Sequence, residues 1–369
     1  MLNKYIIALV FIFSALNSFA QIDFKAIKTN TDTLSNRSNA AMLILIDRGD
    51  KELIYASGIS DKNKHLEAKS NDLFEIGSAS KMFTAIAILQ LVEQNKLSLQ
   101  TTLDKIYPAG EIKKLANYKG QNYWSKITIA MLLNHTSGMI DYLNVYEDDA
   151  KAMEKLAIKG KVYSFNDLTE LAIQHGDMNF IPGTTFKYCN TGYIILGDII
   201  SKKSGMPWRE YIKKNIFDKA KMTDTYFGSE IPKSAFDRKM QGYFNGKSSF
   251  MPPTLASSAG EIVSNLSDLK LFLLAWQEGK LFSDPKTLQM QQTEGYHMMY
   301  PEQTDRLTYG YGLMLIDGFY GHGGQTFGYQ CYVTYNPKSK NLYVVSSNDA
   351  VNIPTMQVFF MYEEISLDE

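Results

Sequence analysis

Apolar residues are concentrated in short runs near both ends of the chain. Residues 40–47 are nearly all apolar, as expected of a strand buried on both faces. Turn residues occupy 48–51, and residues 52–57 have the pattern of a returning strand. Residues 330–335 and 342–347 are rich in aromatic and β-branched residues and flank a second polar turn. The pattern therefore predicts a β-hairpin at each end of the chain.

The middle of the chain has a helical pattern. Residues 81–97 are apolar almost all round, which predicts a buried helix. Further predicted helices span 168–175, 194–203, 208–217, 268–277 (with Ser267 as N-cap) and 354–365. We expect a mixed α/β fold of the α+β type. Its antiparallel sheet uses both chain ends and is flanked by helices, and a helical subdomain of roughly residues 78–250 is inserted beside it. The seam between the two parts is a natural place for a cleft.

The charge balance excludes one broad class of function. Lys and Arg number 38 against 39 Asp and Glu, and the formal net charge is −1. Nucleic-acid binding usually requires a basic surplus or stripe, which the sequence lacks, so no nucleic-acid partner is expected. Cys189 and Cys331 are the only cysteines, and we favour two small buried or half-buried side chains over a disulfide between them.

The first twenty residues differ from the rest. Lys4 is their only charge, an apolar stretch follows, and Ser18-Phe19-Ala20 resembles a small-x-small cleavage site. This pattern predicts a signal peptide over residues 1–20 and an exported, periplasmic or secreted, protein beginning at Gln21. The alternative is an uncleaved membrane anchor, for which the apolar run is short. Residues 21–37 are then a lead-in, 38–365 a single domain, and 366–369 a tail.

Ser78 and Lys81 lie where a loop enters the predicted buried helix, in Phe74-Glu75-Ile76-Gly77-Ser78-Ala79-Ser80-Lys81. Their spacing places both side chains on one helix face. A serine hydroxyl becomes a strong nucleophile when a base takes its proton, and a desolvated lysine can be that base. The alternative is that Ser78 caps the helix and Lys81 is solvated. Ser-x-x-Lys alone is weak evidence, because it occurs by chance in many proteins.

A second segment, residues 182–192, has a Pro-Gly turn and then Tyr188-x-Asn190 directly before an apolar helix. A phenol and an amide two residues apart on a tight loop can both point into a cleft. The alternative is a turn tyrosine followed by Asn190 as the cap of the next helix.

The third segment is Gly321-His322-Gly323-Gly324-Gln325, immediately before a predicted strand. Small residues would let the backbone of a substrate lie along the strand edge. The alternative is that His322 is a structural histidine in a glycine turn.

In this order, the three segments resemble the serine β-lactamase and penicillin-binding-protein superfamily, whose known motifs include Ser-x-x-Lys, Ser-Asp-Asn and Lys-Thr-Gly. Tyr188-x-Asn190 in the second position looks like the class C branch. Residues 132–138, 258–260 and 309–312 are also similar to stretches of that family. The resemblance covers roughly residues 38 to 365.

The resemblance implies a role for each motif residue. Ser78 would be acylated, and Lys81 and Tyr188 would transfer its proton, with the primary base left open. The backbone N–H groups of Ser78 and Gln325 would form the oxyanion hole. No metal and no cofactor is implied.

The implied substrate-binding residues are Asn190, His322, Gly323 and Gly324. His322 stands where other members of the family have a lysine, and an imidazole is largely uncharged at neutral pH. His322 would therefore bind a carboxylate more weakly than a lysine does. A third motif with histidine resembles the motif of the esterases, D-aminopeptidases and D-peptidases of the superfamily more than that of its β-lactamases. We therefore expect a serine hydrolase that acts on an ester or on a D-amino-acid peptide or amide, through an acyl-enzyme.

Two alternative functions remain open. One is a β-lactamase or D,D-peptidase. The other is a non-catalytic binding protein on the same fold, which the loss of Ser78, Lys81 or Tyr188 would have indicated, but all three residues are present. No Gly-x-Ser-x-Gly and no His-x-x-x-His spacing occurs, which counts against α/β-hydrolases and zinc enzymes. The expected partner is a small molecule or a peptide substrate, and no stable membrane anchor is expected after signal cleavage.

Overall fold

The computed structural model describes residues 23–108, 110–143, 155–300 and 306–365. The expected signal peptide and the tail lie outside the described residues. The strands are, in chain order, β1 Met42–Asp47, β2 Glu52–Ser57, β3 Ile59–Asp61, β4 Leu66–Glu67, β5 Phe74–Glu75, β6 Asn117–Tyr118, β7 Gln121–Asn122, β8 Tyr226–Phe227, β9 Tyr243–Phe244, β10 Lys247–Ser248, β11 Ile262–Ser264, β12 His297–Met298, β13 Leu307–Tyr309, β14 Met314–Ile316, β15 Phe319–Gln325, β16 Gln330–Tyr335 and β17 Leu342–Ser347.

The helices connect and cover these strands. They are α1 Phe24–Ser38, α2 Ser80–Glu93, α3 Ile129–Leu133, α4 Phe165–Gln174, α5 Asn190–Ser204, α6 Trp208–Ile212, α7 Asp218–Ala220, α8 Lys233–Phe236, α9 Pro253–Ala256, α10 Leu266–Gln277, α11 Pro285–Thr293 and α12 Thr355–Ile365. Tighter 3₁₀ turns include Gly77–Ala79 and Ser257–Ala259. No helix in the described ranges has the length and apolar character needed to span a bilayer.

The main sheet has eight antiparallel strands in the order β12-β13-β14-β15-β16-β17-β1-β2. Strand β1 pairs with β17, the last strand of the chain, and β2 pairs with β1, so the sheet is built from both ends. This arrangement confirms the predicted fold class. The strands predicted over 52–57, 330–335 and 342–347 match the observed strands. The strand predicted over 40–47 begins two residues later than predicted, at Met42.

The sheet is covered on both faces. Ile44 and Ile46 pack with α1 and α12 on one face, whereas Leu43 and Leu45 belong to the larger core on the other face, which includes α2 and α10. Side chains alternate between the faces of a strand, so a strand covered on both sides needs apolar residues at every position. This is why the sequence shows a continuous apolar run there.

Several predicted helix boundaries were wrong. The helix predicted over 81–97 ends at Glu93, because Asn95 adopts a left-handed conformation (φ 55°) and Lys96 N–H donates to the Leu91 carbonyl. The N-cap of α10 is Asn265, whose side chain accepts from the Asp268 N–H, and not Ser267.

Helix α1 occupies most of the segment expected to be a lead-in, in which no helix was predicted. Asp23 caps it, and its buried stripe is Ile27, Thr31 and Ser35. Two of these three side chains are polar, so the apolar periodicity is hidden. Thr31 is hydrogen-bonded to the Tyr362 hydroxyl at 2.7 Å, and Ser35 donates to the Ala40 carbonyl at 2.6 Å. The polar members of the stripe are therefore satisfied inside the protein.

Both cysteines are buried and unpaired, as expected. The Cys331 thiol donates to the Ile76 carbonyl at 3.2 Å, and Cys189 lies between Tyr188 and Asn190. Burial raises the pKa of each thiol to about 12, so both behave as small buried side chains.

Candidate active site

Lys81 is completely buried at the start of α2, while Ser78, in the preceding 3₁₀ turn, stays partly exposed. The Lys81 Nζ lies 3.0 Å from the Ser78 Oγ, 2.7 Å from the Asn190 Oδ1 and 2.9 Å from the Ala259 carbonyl oxygen. The alternative of a solvated lysine is therefore wrong. Ala79, not Ser78, occupies the cap position of α2.

The neighbours of Lys81 aim its nitrogen at Ser78. The Asn190 oxygen and the Ala259 carbonyl can only accept hydrogen bonds, so they take two N–H groups. In the ammonium form the third N–H faces the Ser78 Oγ. In the uncharged form the lone pair faces it instead. The same geometry thus serves both before and after transfer of the Ser78 proton.

Tyr188 and Asn190 meet Lys81 from the other side. Tyr188 is partly exposed, and its ring centre lies 4.9 Å from the Lys81 Nζ, within the range of a cation–π contact. Asn190 is the first residue of α5 and its side chain bonds Lys81 directly. The structure therefore brings the first two motifs together.

His135 holds the Tyr188 loop on both sides. Its carbonyl accepts from the Lys187 N–H at 3.0 Å, and its Nδ1 accepts from the Cys189 N–H at 3.1 Å. An imidazole nitrogen that accepts carries no proton, and burial lowers the pKa of His135 well below its usual value. These contacts give His135 a structural role as the support of Tyr188.

His322 is also completely buried. Its Nδ1 lies 2.5 Å from the Gly323 carbonyl and must donate to it, so its Nε2 accepts from the Tyr309 hydroxyl at 2.9 Å. Burial, followed by the positive charge of Lys81, lowers the pKa of His322 to about 3. The imidazole is therefore uncharged, and both of its nitrogens are engaged within the protein. Its direct contact with substrate stays a prediction.

Strand β15 presents a free edge beside Ser78. Its pairing with β14 ends at Gly321, whereas its pairing with β16 continues to Gln325. Gly323 and Gly324 are partly exposed and the Gln325 side chain is exposed. Backbone groups of these residues are thus available to an extended substrate on the side that β14 leaves open.

Backbone contact fixes β15 against the loop that carries Ser78. A β carbon on Gly77 would lie 2.7 Å from the Gln325 nitrogen, and Gly77 has a positive φ of 49° that favours glycine. The backbone just before Ser78 thus lies in close contact with the backbone of Gln325. The use of these N–H groups for an oxyanion stays a prediction.

Asp141 was not predicted as a site residue. Its carboxylate is buried and accepts from both the backbone and the side-chain N–H of Asn190, at 2.6 and 2.9 Å. Nothing in its spacing links it to Asn190, which follows 49 residues later. The Ala259 carbonyl was also missed as a lysine partner, although residues 258–260 had been noted as similar to the family. Within the described residues, no group of three or more His, Cys, Asp or Glu side chains could hold a metal ion.

Comparison with known proteins gives the family. The family model named Beta-lactamase matches residues 28–360. The chain belongs to the Beta-lactamase family. This confirms the resemblance to the serine β-lactamase and penicillin-binding-protein superfamily.

Curated relatives match part of the family domain. "Penicillin-binding protein 4*" of Bacillus subtilis is 30% identical over 59% of this chain and 45% of its own length. "Protein flp" of Staphylococcus aureus is 31% identical over 53% of this chain and 36% of its own length. The chain thus matches less than half of the length of these relatives.

Solved structures share the fold over nearly the whole chain. The D-amino acid amidase from Ochrobactrum anthropi has a TM-score of 0.78 at 22% identity and covers 93% of this chain and 97% of its own. The penicillin-binding protein from Bacillus halodurans has a TM-score of 0.72 at 25% identity, with 91% and 98% coverage. These similarities support the serine β-lactamase fold.

Proposed function

We propose that this protein is an exported serine hydrolase that forms an acyl-enzyme on Ser78. The observation that carries the proposal is the 3.0 Å contact between the Lys81 Nζ and the Ser78 Oγ, together with the two acceptors that orient the amine. A buried lysine held against a partly exposed serine hydroxyl is the arrangement that an activated nucleophile requires. Export is supported by the signal-like pattern of residues 1–20.

The reaction follows from these contacts. The uncharged amine of Lys81 takes the Ser78 proton as the Ser78 Oγ forms a bond to the substrate carbonyl carbon, and the carbonyl π electrons move to its oxygen. The backbone N–H groups of Ser78 and Gln325 stabilise that oxyanion. The bond to the leaving alcohol or amine then breaks, and the proton passes to the leaving group through Lys81 and Tyr188. Water hydrolyses the resulting ester of Ser78 by the same route in reverse.

We propose esters and D-amino-acid amides or peptides as the substrate class. The uncharged, buried His322 offers no positive charge to the carboxylate that a β-lactam carries next to its scissile bond. The glycine edge at Gly323 and Gly324 accommodates a substrate backbone without a side-chain barrier. The amidase from Ochrobactrum anthropi, which shares the fold, makes D-amino-acid amides the first amides to assay.

Two other functions are candidates beside the proposed one. The 30% identity to a penicillin-binding protein favours, as second candidate, a β-lactamase or D,D-peptidase. A binding protein without turnover is the candidate from another class. Against it stand Ser78, Lys81 and Tyr188, which are all present and which the structure brings together.

A substrate panel tests the proposal. The wild type and the Ser78→Ala variant would be assayed with a nitrophenyl ester, with D- and L-phenylalanine amide and with a chromogenic cephalosporin. We expect Ser78-dependent turnover with kcat/KM higher for the ester or the D-amide than for the lactam. The reverse ranking would support the β-lactamase alternative. Stable acylation or binding with no turnover of any substrate would support the binding protein.

A further inference from the structure

Asp141 lies behind the residues that contact Ser78 and is almost completely buried, with 1% of its surface exposed. Its Oδ2 accepts from the Asn190 backbone N–H at 2.6 Å and from the Asn190 Nδ2 at 2.9 Å. Its Oδ1 accepts from the Leu143 N–H at 2.9 Å. All three contacts are donors, so the ionised carboxylate fits the geometry better than a carboxyl group, which would also need an acceptor for its proton.

The contacts between Asp141 and Asn190 determine which end of the Asn190 side-chain amide faces Lys81. Its N–H₂ end is held by a carboxylate, which only accepts, and its oxygen therefore points away, to within 2.7 Å of the Lys81 Nζ. If the amide were rotated by half a turn, its N–H₂ would face the Lys81 amine and its oxygen would face the carboxylate. Both contacts would then be repulsive, so Asp141 excludes that orientation.

From this chain of contacts we propose that Asp141 is a positioning residue that sets the Asn190 amide and, through it, the direction and charge of Lys81. The inference rests on the proposed function, because it concerns the same nucleophile. Asp141 does not contact Ser78 in the structure; it acts through Asn190. It also contributes the negative charge that the buried ammonium of Lys81 requires.

The other titratable groups that the structure describes around Lys81 and Asp141 are held uncharged. Lys81 is also faced by the rings of Tyr188 and Tyr193 and by the uncharged His135 and His322. Asp141 is faced by Tyr142 and Cys189, whose pKa values burial raises, and by Lys81. Burial also raises the pKa of Asp141, while the N–H donors and Lys81 oppose that effect.

Two Asp141 variants separate its roles. Asp141→Ala removes the acceptors of Asn190, and Asp141→Asn keeps the shape but removes the charge. Asp141→Asn keeps the volume of the side chain but turns one acceptor oxygen into an N–H₂ donor, so its folding is checked by thermal unfolding before its rates are compared. Asp268→Asn is a matched control, since Asp268 is also a buried carboxylate bonded to N–H and hydroxyl donors, at the start of α10.

The measurement is the second-order rate of Ser78 labelling by a fluorophosphonate from about pH 5 to pH 9, with thermal unfolding as the folding check. We expect Asp141→Ala to be slowed on the order of 100-fold, because a misplaced catalytic group costs about that much. In Asp141→Asn the acidic limb of the rate profile should move to lower pH, because the ammonium form of Lys81 loses a nearby negative charge. Asp268→Asn should label like the wild type.

Wild-type rates and an unshifted acidic limb in the folded Asp141 variants would overturn the inference. If Asp141→Ala does not fold, the acidic limb of Asp141→Asn decides alone. A shift in Asp268→Asn as large as in Asp141→Asn would also overturn it, because the effect would then follow from the loss of any buried carboxylate. A wild type that is not labelled at Ser78 would instead reject the proposed function, and this inference with it.

Discussion

Gly324 and Ile76 are in direct backbone contact: a β carbon on Gly324 would lie 1.8 Å from the Ile76 carbonyl oxygen. Ile76 is two residues before Ser78, and Gly324 is one residue before Gln325. The contact therefore sets the separation between the Ser78 loop and the end of β15. Close approach of two backbones is a recognised reason for a glycine in a strand.

Gly324→Ala should destabilise the fold and slow acylation, because the new methyl group forces β15 away from the Ser78 loop. We expect a loss of about 2–3 kcal/mol in the free energy of unfolding, as for other overpacked sites. Gly323→Ala is the matched control, since its β carbon would meet nothing closer than 3.6 Å. Urea unfolding of both variants checks this, and equal stability of the two would contradict the proposed contact.

Ser257 adopts an unusual backbone conformation, with φ 46° and ψ −144°. It is followed within two residues by Ala259, the carbonyl partner of Lys81. Conformations of this kind are almost confined to glycine and cost of the order of 1–3 kcal/mol for other residues. Ser257→Gly should therefore raise the free energy of unfolding by about 1 kcal/mol, after the entropic cost of glycine is subtracted.

Thermal or urea unfolding measures this gain. Ser267→Gly, in the first turn of α10 and exposed, serves as the control and should be neutral or destabilising. A loss of stability in Ser257→Gly would show that the serine conformation is not strained.

His322 should make stability depend on pH. Its pKa is about 3 in the folded protein, whereas the pKa of a histidine in the unfolded chain is about 6.5. Between these values the unfolded chain binds more protons, so the contribution of His322 to the free energy of unfolding is fully present above about pH 6.5 and falls as the pH is lowered. The slope is about 1.4 kcal/mol per pH unit for one such group.

His322→Asn should therefore show a shallower loss of stability than the wild type between about pH 6.5 and pH 4. Urea unfolding at several pH values in that range gives the two slopes. The variant also loses the Tyr309 contact, but that loss displaces its curve without changing its slope. Parallel curves would mean that His322 is not held uncharged by the fold.

The sequence predicted the parts of the molecule that depend on local pattern. The hairpins follow from apolar runs that end in turn residues, and Ser78 and Lys81 share one face because they are three residues apart. The helix end at Glu93 was missed, although the four residues Glu93 to Lys96 are polar and an asparagine just beyond a helix is a common left-handed cap.

The features that the sequence did not reveal depend mostly on contacts between distant residues. Asp141 acquires its role only when the fold brings it to Asn190, and a single aspartate has no spacing that signals this. The role of His322 in binding substrate stays a prediction, and its engagement by Tyr309 and Gly323 became visible only in the structure. Thr31 and Ser35 concealed α1 because their partners, Tyr362 and Ala40, lie outside the helix.

The most direct test of the account is intact-protein mass spectrometry after brief exposure to a fluorophosphonate. The wild type, Ser78→Ala and Ser80→Ala would be compared. Ser80 is a suitable control because it lies two residues further on and its hydroxyl accepts from the Ile262 N–H, away from Lys81. The account predicts one added phosphonate on the wild type and on Ser80→Ala, and none on Ser78→Ala. Labelling of Ser78→Ala, or no labelling of the wild type, would contradict the assignment of Ser78 as the activated nucleophile.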